Sequence, residues 1–413
     1  MADRVVSSPA ATSVPARTVW PRGPVVARIA VIYVAARLVT TGFFLIAAAL
    51  SGPASRYGVA PSLGELALGW DAQWYWLAAV SGYPADLPLT PQGGVAENAW
   101  AFMPVYAYLS AGLGALLGSW GAGAVVISLV SGFGASVMLH GLLRDRIGDA
   151  AATWAVAFFA CGPLAALFQV GYAEALFLFL LFLALRCVQL RQWGWLYLLV
   201  PAMGFTRPGI LAFALFVGLY GIHRFLRRRV DPLPLRDMAH LVGVAALAVV
   251  VGFVWQAIAA VVTGDPGAYL ATELAWRRNW IGETSGHFVP VEGWVQAAGF
   301  WFTQWGLGAA VGYAALVLLV LGVAAVLLFA PQVKRLGVEI RLWSASYLLY
   351  LLLVFFPQSS IFRLLLPISP LWGAVAVPRS RAWRVTVLGA ALLGQWWWIY
   401  NMYGLGNTYW QIP

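Results

Sequence analysis

Long apolar stretches alternate with short polar segments from residue 29 to the C-terminal end of the chain. Apolar runs of about 20 residues have the length that an α-helix needs to cross a bilayer. Placing the Lys/Arg-rich segments on the cytoplasmic side predicts about 11 transmembrane helices, if residues 195–223 form two short helices that meet at "FTRPG". The pattern therefore predicts an all-α, polytopic membrane protein.

The same topology divides the chain into a tail and two transmembrane modules. Residues 1–28 are rich in Ser, Ala, Pro and Arg, a composition typical of a disordered tail, and we expect them in the cytoplasm. The predicted modules are 29–225, with an outer loop at 51–122, and 226–413, with an outer loop at 263–303.

Composition agrees with a membrane location and excludes other classes. The chain is 62% hydrophobic and 10% charged, whereas a soluble domain carries roughly 25% charged residues. The net charge of +10 follows the predicted cytoplasmic loops, so it does not indicate nucleic-acid binding. Cys161 and Cys187 both lie inside apolar runs, which argues against a disulfide framework or a cysteine metal site.

A small set of charges departs from this topology. Of the 25 Lys and Arg residues, those within a predicted helix or on the outer side are Arg37, Arg56, Arg207, Arg277, Arg278 and Arg363. Nine of the 15 acidic residues also fall on the outer side. Charges at membrane depth are costly and are functional candidates by default, so we expect an active site on the outer face.

The first outer loop contains the clearest candidate. Residues 65–80 are predicted to form an interfacial helix that carries Asp71 among aromatic side chains, and residues 99–117 a second one with Pro104 in its first turn. Asp71 either anchors its helix or acts as a general base for an acceptor hydroxyl. Trp70 and Tyr75 beside it suit stacking on a sugar ring or a lipid.

Three segments together resemble a known family. "WDAQWYWLAAVSGYP" followed by "AFMPVYAYL", then "GPLAALFQVGYAEALFLFL", then "GFTRPGILAFAL" are similar in order and spacing to stretches of the PIG-V-like mannosyltransferases of the GT-C superfamily. The likeness covers about the first 225 residues, and the C-terminal half matches only through "IFRLLLPISPLW". The chain departs from the family pattern at Gly162, Ala165, Pro208 and Gly209.

The resemblance implies a GT-C-like fold in which residues 29–225 form the catalytic module. It also implies transfer of a sugar, usually with inversion, from a polyprenyl-phosphate donor to an acceptor hydroxyl on the outer side. Asp71 matches the catalytic acidic position, and Tyr172 and Glu174 match the second outer motif. The expected partners are polyprenyl-phosphate-mannose, a lipid, glycan or protein acceptor, and membrane lipids, with no nucleic acid.

The remaining membrane-depth charges each have two interpretations. Glu174 either complements a helix dipole or acts as a second active-site acid. Arg207 and Arg363 either reach the interface by snorkelling or bind the donor phosphate. Arg37 lies mid-helix and is expected to form a structural ion pair more readily than a donor contact.

The second outer loop adds "ELAWRRNWIGETSGHF". Arg278 and His287, with Arg277 and Glu283 nearby, belong either to a solvated loop or to a lid over the donor and acceptor. No pair of histidines has metal-ligand spacing. A divalent ion held by Asp71 and Glu174 remains open.

Two other functional classes fit an integral membrane protein. A transporter or lipid flippase would line a path across the whole membrane with its charges, whereas here the unusual charges gather on the predicted outer half. A scaffold subunit of an envelope-assembly complex would need none of these charges for chemistry.

Overall fold

A computed structural model describes residues 19–21, 23–281, 287–408 and 410–413. Throughout these ranges the chain is helical and contains no strand, apart from one isolated antiparallel bridge between Leu89 and Val95. The predicted all-α fold class is confirmed.

Eighteen α-helices follow one another in the described residues. The first nine are α1 Gly23–Leu50, α2 Leu63–Ala67, α3 Asp71–Ser81, α4 Pro104–Leu117, α5 Trp120–Ile147, α6 Asp149–Ala160, α7 Glu174–Gln189, α8 Trp193–Gly204 and α9 Ile210–Leu226. The other nine are α10 Leu235–Thr263, α11 Ala268–Ile281, α12 Glu292–Gln304, α13 Ala309–Phe329, α14 Pro331–Lys334, α15 Val338–Val354, α16 Ile361–Leu364, α17 Trp372–Ala376 and α18 Arg381–Ile399. Short 3₁₀ segments cover Ala99–Ala101, Ala165–Phe168 and Leu366–Leu371, and a π-helical turn covers Tyr400–Leu405.

Four of the described helices, α1, α5, α10 and α13, are long and apolar enough to cross a membrane. Shorter apolar helical segments include α4, α6, α9 and Leu366–Ala376. The chain is therefore an integral, multi-pass membrane protein. The count of 11 spanning segments and the sidedness of the loops stay predictions, because length and composition do not fix them.

The most deeply buried part of the bundle is formed by α5, α6 and α7, whose facing sides bury small and aromatic side chains. At the other extreme, α13 buries only Gly312 and Leu327 among its described residues. The core thus surrounds the helix that begins at Glu174.

Two predicted helix boundaries at the N-terminal end differ from the structure. Helix α1 begins at Gly23, so the predicted tail boundary at residue 28 falls inside it; residues 1–18 and 22 lie outside the described residues. The predicted helix 65–80 is in fact two helices, α2 and α3, because Trp70 adopts a positive-φ backbone conformation (φ 53°, ψ −124°) that no α-helix continues through.

The predicted helix 151–169 is also wrong in extent, since α6 ends at Ala160 and an irregular segment follows. Pro163 has no N–H to donate and is poorly tolerated inside a helix. The break frees backbone carbonyls, and the Arg37 guanidinium on α1 donates to two of them, at Ala160 and Ala165. Arg37 is therefore structural, as expected, but its partners are carbonyl groups rather than a carboxylate.

The second outer loop is more ordered than predicted. Residues 263–303 contain α11 and α12, and Glu283 lies outside the described residues. Helix α11 is fixed to the first loop by Asn98, whose side-chain amide donates to Thr272 Oγ1 at 2.9 Å. The two segments that the sequence predicts as large outer loops therefore pack on each other.

Replacing Arg37 by methionine tests its role in the break after α6. Methionine keeps an unbranched side chain but cannot donate hydrogen bonds, so two buried carbonyls lose their donors. This loss should lower the free energy of unfolding by about 1–3 kcal/mol. The measurement is thermal unfolding of the purified protein in detergent.

Arg28→Met is the matched control, since Arg28 is also on α1 but its ion pair with Asp149 (2.7 Å) is 42% exposed on the arginine side. Exposed pairs contribute about 0–1 kcal/mol. Equal melting temperatures for the two variants would contradict the structural role of Arg37.

Candidate active site

Asp71 is the first residue of α3, and the turn before it is built to present its carboxyl group. A side chain at Gly69 would overlap the Tyr57 ring, so only glycine permits this approach. The Trp70 indole N–H donates to the Met402 carbonyl at 2.9 Å, and the Arg56 guanidinium lies 3.8 Å from the Trp70 ring centroid. These two contacts hold Trp70 in its strained backbone conformation.

Glu174 is the first residue of α7 and is 3% exposed. The segment before it turns sharply, and the Asp71 backbone N–H donates to the Tyr172 hydroxyl at 3.3 Å. The start of α7 and the start of α3 are therefore tied together. This contact explains why two motifs about 100 residues apart in sequence meet at one site.

Two arginines from different parts of the chain complete the group. Arg207 lies in the link between α8 and α9 and forms an ion pair with Glu174. Arg363, in α16, forms an ion pair with Asp71 and a second with Glu174 at 3.3 Å. The charges thus alternate in a row, which we call the four-charge cluster: Asp71, Arg363, Glu174 and Arg207.

The cluster is only partly closed to solvent. The side chains of Asp71, Arg363 and Arg207 are 17%, 15% and 14% exposed. Among the described residues, the buried Arg363 Nε and Glu174 Oε2 atoms have no hydrogen-bond partner. A buried N–H group of a guanidinium that lacks a partner is a ready donor for an anionic oxygen.

Aromatic side chains surround the cluster, as the sequence indicates. The Tyr172 ring centroid lies 5.7 Å from the Arg363 guanidinium carbon. Tyr75 is buried and packs edge-on against Phe102 and Tyr106, with ring centroids 5.1 Å apart in each case. These contacts leave little freedom for the groups that hold the charges.

Burial raises the pKa of Asp71 above that of an ordinary aspartate, and the nearby Glu174 carboxylate adds to the rise. The Arg363 guanidinium acts in the opposite direction by stabilising the ionised form. A carboxylate with a raised pKa is a better proton acceptor near neutral pH. Any ligand that draws Arg363 away would raise the pKa of Asp71 further.

The arrangement of Asp71 and Glu174 fits a metal ion poorly, because both carboxylates are engaged by guanidinium groups. The described residues contain no group of three or more His, Cys, Asp or Glu side chains placed to hold a metal.

Other predicted residues lie outside the four-charge cluster. The Arg278 side chain on α11 donates to the Val95 carbonyl of the first loop. His287 is exposed in the connection between α11 and α12. Arg277, also on α11, pairs with Glu292 at 3.4 Å. A lid function for this segment stays a prediction.

The support of the segment before Arg363 could not be predicted from the charge pattern. The segment that leads to Arg363 is braced by tryptophans from the second loop: Trp280 donates to the Gln358 side chain, and Trp301 donates to the Pro357 carbonyl at 2.8 Å. Gln358 in turn donates to Ser360 Oγ at 3.3 Å. Helices α11 and α12 therefore fix the position of Arg363, although the sequence suggests only a loop.

Comparison with known proteins finds likeness in structure only. No family model and no curated protein sequence matches the chain. Among solved structures, it is similar to ArnT from Cupriavidus metallidurans bound to undecaprenyl phosphate, with 16% identity and a TM-score of 0.46, covering 88% of this chain and 62% of ArnT.

Two structures of an archaeal enzyme are similar at the same level. The Archaeoglobus fulgidus oligosaccharyltransferase with zinc and sulfate matches with 15% identity and a TM-score of 0.43, over 87% of this chain and 52% of that one. Its AglB complex with an inhibitory peptide and a dolichol-phosphate matches with 15% identity and a TM-score of 0.43, over 92% and 56%. This chain thus spans less than two thirds of each, and likeness this low does not assign an activity. The PIG-V-like assignment stays a prediction.

Replacing Glu174 by glutamine should destabilise the fold more than replacing Asp71 by asparagine. Glu174 is nearly inaccessible and neutralises two arginines, and removing one partner of a buried pair costs about 3–5 kcal/mol. Asp71 is partly exposed, and its loss leaves Arg363 still paired with Glu174. The measurement is thermal unfolding of both variants in lipid nanodiscs.

Asp86→Asn serves as the control, since this acid is exposed in the first loop and should unfold like the wild type. A melting temperature for Asp71→Asn as low as that of Glu174→Gln would contradict the asymmetry between the two carboxylates.

Proposed function

We propose that this chain is a membrane glycosyltransferase that moves a mannosyl group from a polyprenyl-phosphate donor to an acceptor hydroxyl on the outer side of the membrane. The observation that carries the proposal is the four-charge cluster. Its two carboxylates and two guanidinium groups come from four separate elements. The sequence resemblance matches Asp71 to the catalytic acidic position and Glu174 to the second outer motif. The choice of mannose rests on that resemblance alone.

The two arginines suit the phosphate of a lipid-linked donor. Guanidinium groups bind phosphate oxygens through charge-assisted hydrogen bonds, often in pairs. Arg363 retains a buried N–H group without a partner in the described residues. The donor phosphate competes with Asp71 for Arg363, so donor binding frees the carboxylate that must act next.

Asp71 is the proposed general base. Its carboxylate takes the proton from the acceptor hydroxyl while the acceptor oxygen forms a bond to the anomeric carbon. The bond from that carbon to the phosphate oxygen breaks, and its electron pair leaves on the phosphate. Arg363 and Arg207 stabilise the charge that develops there. Attack from the face opposite the phosphate inverts the anomeric configuration.

Glu174 is a positioning residue in this scheme. It bonds to both arginines and is itself inaccessible, so it fixes the spacing of the two phosphate ligands. Tyr172 has a related role, since its hydroxyl accepts a hydrogen bond from the backbone at Asp71 and its ring lies beside Arg363.

Asp71→Asn should reduce sugar transfer by about 10²–10⁴-fold, the usual contribution of a general base, while the protein stays folded. The assay uses purified protein in lipid with polyprenyl-phosphate-mannose and a pool of lipid, glycan and peptide acceptors. Wild-type transfer should fall as pH drops through the raised pKa of Asp71, because the base is then protonated.

Glu65→Gln is a control for the loss of one acid from the first loop, since Glu65 is exposed and bonded to Ser62. Full turnover by folded Asp71→Asn would refute the assignment of the base. Uptake of a solute or lipid into sealed vesicles, without any glycosylated product, would instead favour a transporter.

A further inference from the structure

A third carboxylate, Glu273, lies on α11, in a region that the sequence predicts as a loop. Its side chain is exposed, although Thr272 and Leu274 on either side of it are buried. Glu273 is not part of the four-charge cluster and has no role in the proposed transfer reaction.

Helix α11 packs against aromatic side chains near Asp71, namely Trp74 and Phe102. The Trp276 ring lies edge-on to Trp74 at 5.7 Å and to Phe102 at 6.0 Å between centroids. Trp74 is one helical turn after Asp71 on α3. Glu273 and Trp276 are three residues apart, so they share a face of α11, and this face adjoins the helix of the proposed base.

Two phenols frame the carboxylate. The Tyr269 side chain, four residues earlier on α11, lies on the same face of the helix as Glu273. Tyr350, on α15, also lies near Glu273. The Tyr350 ring also faces the Arg207 turn, since a β-carbon placed on Gly209 would lie 3.8 Å from it. Tyr350 thus lies near both Glu273 and the turn that carries Arg207.

A polar group next to Glu273 lacks a partner among the described residues, and the neighbouring cation is paired elsewhere. The buried Trp276 indole N–H has no hydrogen-bond partner in the part of the chain that the structure describes. The nearest cation on the helix, Arg277, is paired with Glu292. Water reaches the Glu273 side chain, but the protein atoms packed around the carboxyl group desolvate it and raise the pKa of Glu273 to about 7. The titratable groups that face it, Tyr269 and Tyr350, stay neutral at that pH.

We propose that Glu273, Tyr269 and Tyr350 form a subsite that binds the hydroxyl groups of a sugar ring or similar polyol. A carboxylate accepts hydrogen bonds from two hydroxyls, and phenols donate and accept. Trp276 supplies an apolar aromatic surface beside them. The inference rests on the proposed function, and its ligand is either the sugar of the donor or a sugar of the acceptor.

The test measures binding of methyl α-mannopyranoside to the full-length protein in nanodiscs by intrinsic tryptophan fluorescence. Glu273→Gln should weaken binding about tenfold, and Tyr269→Phe should weaken it less. Wild-type binding should strengthen as pH rises through about 7, because the ionised carboxylate is the stronger acceptor, whereas Glu273→Gln should show no such change. Asp86→Asn, which removes another exposed acid, should bind like the wild type.

A second arm distinguishes the two sources of the ring. If saturation with polyprenyl-phosphate-mannose abolishes probe binding, the subsite holds the sugar of the donor; if probe binding persists, it holds the acceptor. Binding of polyprenyl phosphate is measured in parallel. The subsite is refuted if the lipid binds and Glu273→Gln binds the probe as tightly as the wild type does. It is also refuted if the lipid binds and the wild type does not bind the probe. If the probe binds but the lipid does not, the proposed function fails instead.

Discussion

The contact of Arg363 with both Asp71 and Glu174 is the interaction on which the site depends. It joins the start of α3, the start of α7 and the short helix α16, which are far apart in sequence. A charge at this depth is costly unless it is paired. The alternating row of charges pairs each of the four groups and leaves the Arg363 Nε–H without a partner among the described residues.

Irregular backbone is concentrated around this row of charges. The turn before Asp71, the segment after α6 and the link at Arg207 all interrupt helices that a plain bundle would continue. Such breaks persist inside a membrane protein only where the freed backbone groups find partners. Arg37 provides them after α6, and the tryptophans of α11 and α12 brace the segment before Arg363. The scaffold therefore holds the reactive groups at helix ends and breaks, since Asp71 and Glu174 begin α3 and α7 and Arg207 lies in the link between α8 and α9.

The fold class and the members of the four-charge cluster are predictable from the sequence. Arg207 and Arg363 stand out because they depart from the positive-inside pattern, Asp71 because it lies among aromatic side chains, and Glu174 because it begins a helix and matches a family motif. The break at Trp70 and the end of α6 were not predicted, since a positive-φ residue and a local helix break depend on tertiary contacts that the hydrophobic pattern does not encode. Sequence reasoning missed α11 because that helix has mixed polarity, and it therefore passed over Glu273. The roles of Arg278 and His287 stay untested predictions.

The most direct test of the account is the affinity of the protein for polyprenyl phosphate, measured in nanodiscs for the wild type and for Asp71→Asn. If Arg363 exchanges Asp71 for the donor phosphate, removing the carboxylate removes a competitor and a negative charge. The account predicts that Asp71→Asn binds the lipid about tenfold more tightly, a gain of about 1.4 kcal/mol. Equal or weaker binding by a folded Asp71→Asn variant would contradict the shared use of Arg363.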